Sequence, residues 1–316
     1  MPAPKFRQPS TAFGALSESD SFAEVDAGQV RYRLRKGDAA KPLVVFVHGA
    51  NTPKECWDSA QEMLSTKGFG SLAYDLPGRG FSELTSKAQS LGFFEAHLHS
   101  LLQQVAPNAM GERSKKLILV GQSLGGAIAA TFCAKHSGKV AGLLLVATAG
   151  MPVSLPSITK LLPVPGVGSC LINALINPLI KSGFAKNWVP ENRKEGTPAA
   201  QDYDKWLNFL TTEVKLNPNL APAMRSTITN VSSFGFVPAS EIDRTMREVG
   251  SLNLKNALKL EQVSGLNDQT CPIESLRKLN REKLSECPHH VLNCGHFVMI
   301  EADRDFNTIL AKFVGA

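Results

Sequence analysis

Apolar residues in this chain fall into short unbroken runs separated by longer stretches with helical spacing. Leu43 to Val47 and Val140 to Ala147 are continuous apolar runs of strand length, as expected of strands covered on both faces. Gly70 to Tyr74 reads as a further strand, and Leu117 to Val120 as another that ends at Gly121. Between them, Lys54 to Lys67 and Leu91 to Val105 carry the spacing of helices. A run of small, helix-favouring residues from Gly125 predicts a helix reaching about His136. Near the start, Phe22 to Val25 and Val30 to Arg35 flank Asp26-Ala27-Gly28-Gln29, which predicts a hairpin. Its second strand places Val30, Tyr32 and Leu34 on one face and Arg31, Arg33 and Arg35 on the other.

The alternation breaks at about residue 150. From there to about 240 there are helix-length apolar stretches, many prolines and no clear strand. It resumes with a strand at Leu258 to Ser264, a helix over Ile273 to Leu284, a strand at His289 to Leu292 and a last helix over Arg304 to Val314. Strand and helix in alternation predict an α/β fold with a mostly parallel, doubly wound sheet. The expected organisation is a loosely held tail over 1–20, a core from 21–149 and 241–316, and an inserted helical cap over 150–240. Lys259, Glu261 and Gln262 make the strand at Leu258 to Ser264 polar, which places it towards the sheet edge.

Chemistry enters where the strand at Leu117 meets the following helix. Gly121-Gln122-Ser123-Leu124-Gly125 spans the turn, a G-x-S-x-G motif in a strand–turn–helix setting. So tight a turn needs small residues around it, and the serine at its apex stands clear of the sheet beside a helix N-terminus that favours negative charge. A serine hydroxyl still needs a base, and the base a carboxylate. Each should follow the C-terminal end of a strand. His296, after Gly295, and Asp268, in the loop before Pro272, both do. Asp75 and Asp303 compete for the acid role, but neither lies between the serine strand and the histidine in the expected order.

Composition narrows the picture further. The 316 residues are 43% hydrophobic and 20% charged, with 34 Lys+Arg against 28 Asp+Glu giving +6. Those charges are dispersed, so nothing supports nucleic-acid binding. The six cysteines show no C-x-x-C pair and read as reduced thiols, and Met1 to Asp20 has no apolar leader segment. A cytoplasmic protein is expected. Leu155 to Ile180 is apolar but broken by Pro156, Pro163, Pro165 and Pro178, so a spanning helix is not expected. Alternation along one strand sends Cys287, His289, His290 and Cys294 to different faces, and no metal site is expected there. Gly166-Val167-Gly168 lacks a third glycine and a preceding strand, so no dinucleotide cofactor is expected.

Taken together, His48-Gly49 after a strand, Asp75 to Gly80, Gly121 to Gly125, Gly265 to Pro272 and Gly295-His296 resemble the motifs of the α/β-hydrolase fold superfamily. The similarity runs from Phe22 to the C-terminus, and the likeness is to its serine-triad, esterase- or lipase-like members with a helical cap. It implies Ser123 as nucleophile, Asp268 as acid and His296 as base. It also implies the backbone N–H groups of Ala50 and Leu124 as oxyanion hole, with His48 and Gly49 supporting the oxyanion loop. Serine at the elbow separates the chain from dehalogenases and epoxide hydrolases of this fold, which carry aspartate there. The implied reaction is hydrolysis of a small-molecule carboxylic ester with an apolar acyl group, and no cofactor is expected. Carbon–carbon bond hydrolases share the triad and cap, but their glycine-proline-rich oxyanion loop is absent from His48-Gly49-Ala50-Asn51. A perhydrolase and a non-enzymatic receptor on the same fold remain alternatives. The apolar cap leaves weak peripheral contact with a membrane open, and oligomeric state is not legible.

Overall fold

A computed structural model describes the chain except residues 1–16, 18, 27, 112–116, 152–156, 190–197, 235 and 316. Most of the tail expected over 1–20, and parts of the stretch expected as cap, therefore lie outside the described residues. Eight strands form one sheet: β1 (Ser21–Val25), β2 (Gly28–Arg35), β3 (Leu43–Val47), β4 (Ser71–Tyr74), β5 (Leu117–Gln122), β6 (Val140–Val146), β7 (Lys259–Gly265) and β8 (His289–Leu292). Their spatial order is β1-β2-β4-β3-β5-β6-β7-β8. The hairpin β1–β2 and the β2–β4 pair are antiparallel, and all later neighbours are parallel. β7 lies towards the sheet edge, as its polar residues suggest, with only β8 outside it; its Gln262 is nonetheless fully buried.

Helices cover both faces of this sheet because its strands alternate apolar side chains to two cores. Leu117 and Leu119 of β5 join the core beneath α2 (Leu91–Val105), α3 (Leu124–Lys135), α7 (Ser240–Leu254) and α8 (Ile273–Lys283). Ile118 and Val120 join the opposite core beneath α1 (Asp58–Thr66) and α10 (Asp303–Val314), which follows the short α9 (Val298–Glu301). α7 was not foreseen as a helix; its Ile242, Met246 and Val249 recur at helical spacing and are buried. Between β6 and α7 the described chain is helical, with α4 (Val167–Lys186), α5 (Pro198–Leu216) and α6 (Leu220–Asn230) packed on one another. No helix among the described residues is long and apolar enough to cross a membrane. The six cysteines are unpaired.

The arginine face of β2 is buried by compensation. The Arg31 guanidinium lies against Asp75 at 2.6 Å, Glu55 at 2.7 Å and Asp20 at 3.5 Å, while Asp20 also holds Arg33 at 3.0 Å and Lys54 at 2.8 Å. Burial alone would lower the Arg31 pKa, but Asp75 and Glu55 outweigh it and the net shift is upward. Asp75 is thereby committed to structure: its carboxylate also accepts from the backbone N–H groups of Lys54 and Phe81, each at 3.0 Å.

Candidate active site

The turn between β5 and α3 forces Ser123 into φ 53°, ψ −118°, a region that non-glycine residues seldom occupy. Neighbouring backbone holds it there. Its N–H donates to Val146 O at 3.0 Å, and its carbonyl accepts from Gly126 N and Ala149 N, both at 3.0 Å. Glycine is required on either side, since a Cβ at Gly121 would strike the Gly125 carbonyl and one at Gly125 the Val47 carbonyl. A strained, half-buried serine at the end of a central strand, on the wall of a cavity, is the kind of position that a fold retains for chemistry.

Asp268 and His296 follow β7 and β8. His296 Nδ1 lies 2.8 Å from Asp268 Oδ2, and both side chains are buried. The other carboxylate oxygen accepts from the N–H groups of Thr270 at 2.8 Å and Cys271 at 2.7 Å, which fixes the carboxylate plane. Ser123 and His296 line the same cavity of about 240 Å3, together with Ala50, Asn51 and Gln122. Its remaining wall is mostly apolar, chiefly Ile172, Ile176, Leu179, Ile180 and Phe184 of α4 and Met224 and Ile228 of α6, with Asn187 and Thr270 as polar members.

The loop after β3 is held by His48. Its Nδ1–H donates to Gly49 O at 2.7 Å and its Nε2 accepts from Leu76 N at 2.9 Å, a pairing that needs the neutral ring. Burial lowers its pKa to about 4, against the pull of Asp75. Ala50 thus lies at the cavity wall, and Leu124 opens α3 beside Ser123. Asp303, the rival acid, is remote from this cavity and accepts from Ser59 Oγ at 3.4 Å.

Three further residues that the sequence did not single out hold this arrangement. Asn187, after the last turn of α4, accepts His296 N at its carbonyl (3.1 Å) and Gln269 N and Thr270 N at its side chain (2.8 and 3.1 Å). Glu301 accepts Gly295 N and Val189 N, each at 2.7 Å. Arg79, from the loop after β4, is buried with only neutral acceptors among the described residues: the carbonyls of Ala50 (3.0 Å) and Pro77 (2.8 Å), Gln89 Oε1 (2.5 Å), Thr227 Oγ1 (2.6 Å) and Met224 Sδ (3.8 Å). Burial lowers its pKa to about 9. The signal for Arg79 was a charged residue inside a turn-rich loop beside the site; a lone asparagine in a helical region gave none.

Asp268, Cys271 and His296 offer donor atoms within 4.8 Å of one another, a cluster in which the carboxylate and imidazole already bond each other. His289 and His290 diverge: one ring meets Ser264 Oγ at 2.7 Å and the other Glu261 Oε2 at 2.8 Å.

Residues 44–309 match the alpha/beta hydrolase family. The chain belongs to that family. Among curated relatives it is similar to pFDCC methylesterase MES16 of Arabidopsis thaliana, 34% identical over 122 residues, covering 37% of this chain and 44% of the relative. It is also similar to Protein ABHD8 of Mus musculus, 23% identical over 285 residues, covering 88% of this chain and 56% of the relative. The chain thus spans about half the length of the curated relatives it matches. Among solved structures, an esterase from Thermogutta terrifontis superposes with TM-score 0.70 at 15% identity, covering 93% of this chain and 97% of the other. An enol-lactonase from Burkholderia xenovorans superposes with TM-score 0.69 at 15% identity, covering 94% and 100%. At these identities the structures establish the fold alone.

Proposed function

We propose that this protein is a hydrolase that cleaves small-molecule carboxylic esters through an acyl-enzyme on Ser123. The observation that carries the reading is the 2.8 Å bond between Asp268 and His296, with His296 and the strained Ser123 on one cavity. In this reading His296 takes the Ser123 proton at Nε2 while Oγ attacks the acyl carbon, and Asp268 fixes the ring with Nδ1–H donated to it. The carbonyl oxygen becomes an oxyanion that accepts from the N–H groups of Ala50 and Leu124. Collapse breaks the C–O bond, and the departing alkoxide leaves as alcohol with the proton from His296. Water, deprotonated by the same nitrogen, then attacks the acyl carbon, frees the acid and restores the Ser123 hydroxyl.

Helices α4 to α6 act as the cap, and the apolar wall they supply favours an apolar acyl group over a charged one. The esterase named among the structures and the methylesterase among the relatives accord with this substrate class. A fluorophosphonate probe tests the mechanism: it should label the purified protein at Ser123, and Ser123→Ala should lose both labelling and ester hydrolysis while keeping its fold. Labelling elsewhere, or Ser123→Ala with hydrolysis intact, rejects the nucleophile.

A further inference from the structure

Large apolar side chains at the surface are unevenly distributed. Ile158, Leu161, Val164, Val167 and Leu179 are each 40–48% exposed, whereas the other exposed ones among the described residues are scattered singly. Scattered cases need no explanation, but a concentration of five within one stretch does. On α4 the pattern resolves into two neighbouring rows at four-residue spacing. Ile172, Ile176, Ile180 and Phe184 are buried, while Val167, Leu171, Leu175 and Leu179 are half-buried to exposed. Packing accounts for the first row. The second row, continuing Ile158, Leu161 and Val164, faces outward.

The charge of this stretch is one-signed. No Asp or Glu occurs between Glu112 and Glu191, and Lys160, Lys181 and Lys186 are exposed. We infer that this face of α4 and the turn before it docks on an anionic phospholipid surface. The apolar row enters the boundary between headgroups and acyl chains, and the lysines meet the lipid phosphates. A second copy of the chain fits less well, because a self-contact would bring lysines together with no carboxylate between them. Pro163, Pro165 and Pro178 break the regular backbone and keep the seating shallow. Leu179 lies both at this surface and on the wall of the Ser123 cavity. The docked protein thus turns one wall of that cavity towards lipid, and an apolar ester reaches Ser123 from the bilayer; this last step alone rests on the ester-hydrolase reading.

Sedimentation with vesicles tests the docking without any turnover. The Ser123→Ala chain is mixed with vesicles of phosphatidylcholine alone, or with about a third phosphatidylglycerol, at about 0.1 M salt. Partitioning onto the mixed vesicles should exceed that onto phosphatidylcholine by about tenfold. Leu161→Glu/Val167→Glu should lower it by about tenfold or more, and in the Ser123 background this pair should leave hydrolysis of soluble short esters unchanged. Lys160→Glu/Lys181→Glu/Lys186→Glu should abolish the preference for anionic vesicles. A protein that stays in the supernatant with both vesicle types overturns the inference, as does undiminished binding by the glutamate pair. It is equally overturned if light scattering shows a dimer that the glutamate pair dissociates while vesicles bind neither form. Vesicle binding together with no ester hydrolysis by the protein that keeps Ser123 would reject the ester reading and leave the docking established.

Discussion

Arg79 Nε donates to the carbonyl oxygen of Ala50 at 3.0 Å, while the far side of the same guanidinium holds Thr227 of α6. One buried side chain therefore joins the loop proposed to stabilise the oxyanion to a helix that lines the Ser123 cavity. Thr227 Oγ1 in turn donates to Gln89 Oε1 at 2.8 Å, so the fork sits in a polar network with no carboxylate among the described residues.

Arg79→Lys keeps the charge and loses the fork. A single ammonium cannot span Ala50, Gln89 and Thr227 at once. Loss of a charged hydrogen bond at the loop should lower kcat on a soluble ester by about tenfold to a hundredfold, with KM changed less than about threefold. Equal losses in stability and none in kcat would make Arg79 a structural residue only.

Asp268→Asn should cut kcat by about a thousandfold or more, because the amide leaves the His296 ring without its orienting acceptor. Its contacts to Thr270 N and Cys271 N involve the other oxygen, so the loop should persist. Asp303→Asn should keep nearly full activity. Asp75→Asn should act on stability first, since it removes a charge opposite the buried Arg31. A silent Asp268→Asn would transfer the acid role elsewhere.

His97 gives a stability test independent of catalysis. Its ring is buried between Tyr74 and Phe93, both nitrogens lack a hydrogen-bond partner among the described residues, and burial lowers its pKa to about 4. The folded state therefore refuses a proton that the unfolded chain accepts at about 6.5. The stability from a neutral His97 is present above that value and is lost as pH falls from about 6.5 towards 4, by up to about 3 kcal/mol. His97→Phe should raise stability at neutral pH by about 1 kcal/mol and flatten the acid limb by that loss. His48 keeps the same window in both proteins, so some slope remains. Urea unfolding across that range decides it: a less stable His97→Phe with an unchanged slope contradicts the account.

What could be read from the sequence follows from where the determinants are local. β3, β5 and β6 are continuous apolar runs, and α2 starts at Ser90, whose hydroxyl accepts Phe93 N at 3.2 Å, so the sequence itself carries these strands and that helix start. The elbow was legible because tight geometry demands glycine at fixed offsets. Alternation put the arginines of β2 on one face but carried no sign of their burial, since their carboxylate partners Asp20, Glu55, Asp58 and Asp75 come from other segments. Asn187 was invisible for the same reason: its partners Thr270 and His296 are far along the chain. Local pattern reports burial and turns; pairing across the fold is a property of the assembled sheet.

The Ser123 cavity, read as the acyl site, makes the last prediction. Ile172, Ile176, Ile180, Phe184, Met224 and Ile228 form its wall, and the polar groups gather near Ser123 and His296. An acyl chain leaving Ser123 along that wall trades water for apolar contact. Each added methylene contributes up to about 0.8 kcal/mol, or about a fourfold gain in kcat/KM, until the volume is filled. Activity on chromogenic esters should therefore rise from acetate towards medium chains and then level off. Replacing Ile176 by Phe takes volume from that wall, so the optimum should move to shorter chains while acetate hydrolysis changes little. An enzyme fastest on acetate and slower with each methylene would mean that the α4 and α6 side chains close over the site, and the preference for an apolar acyl group would then be wrong.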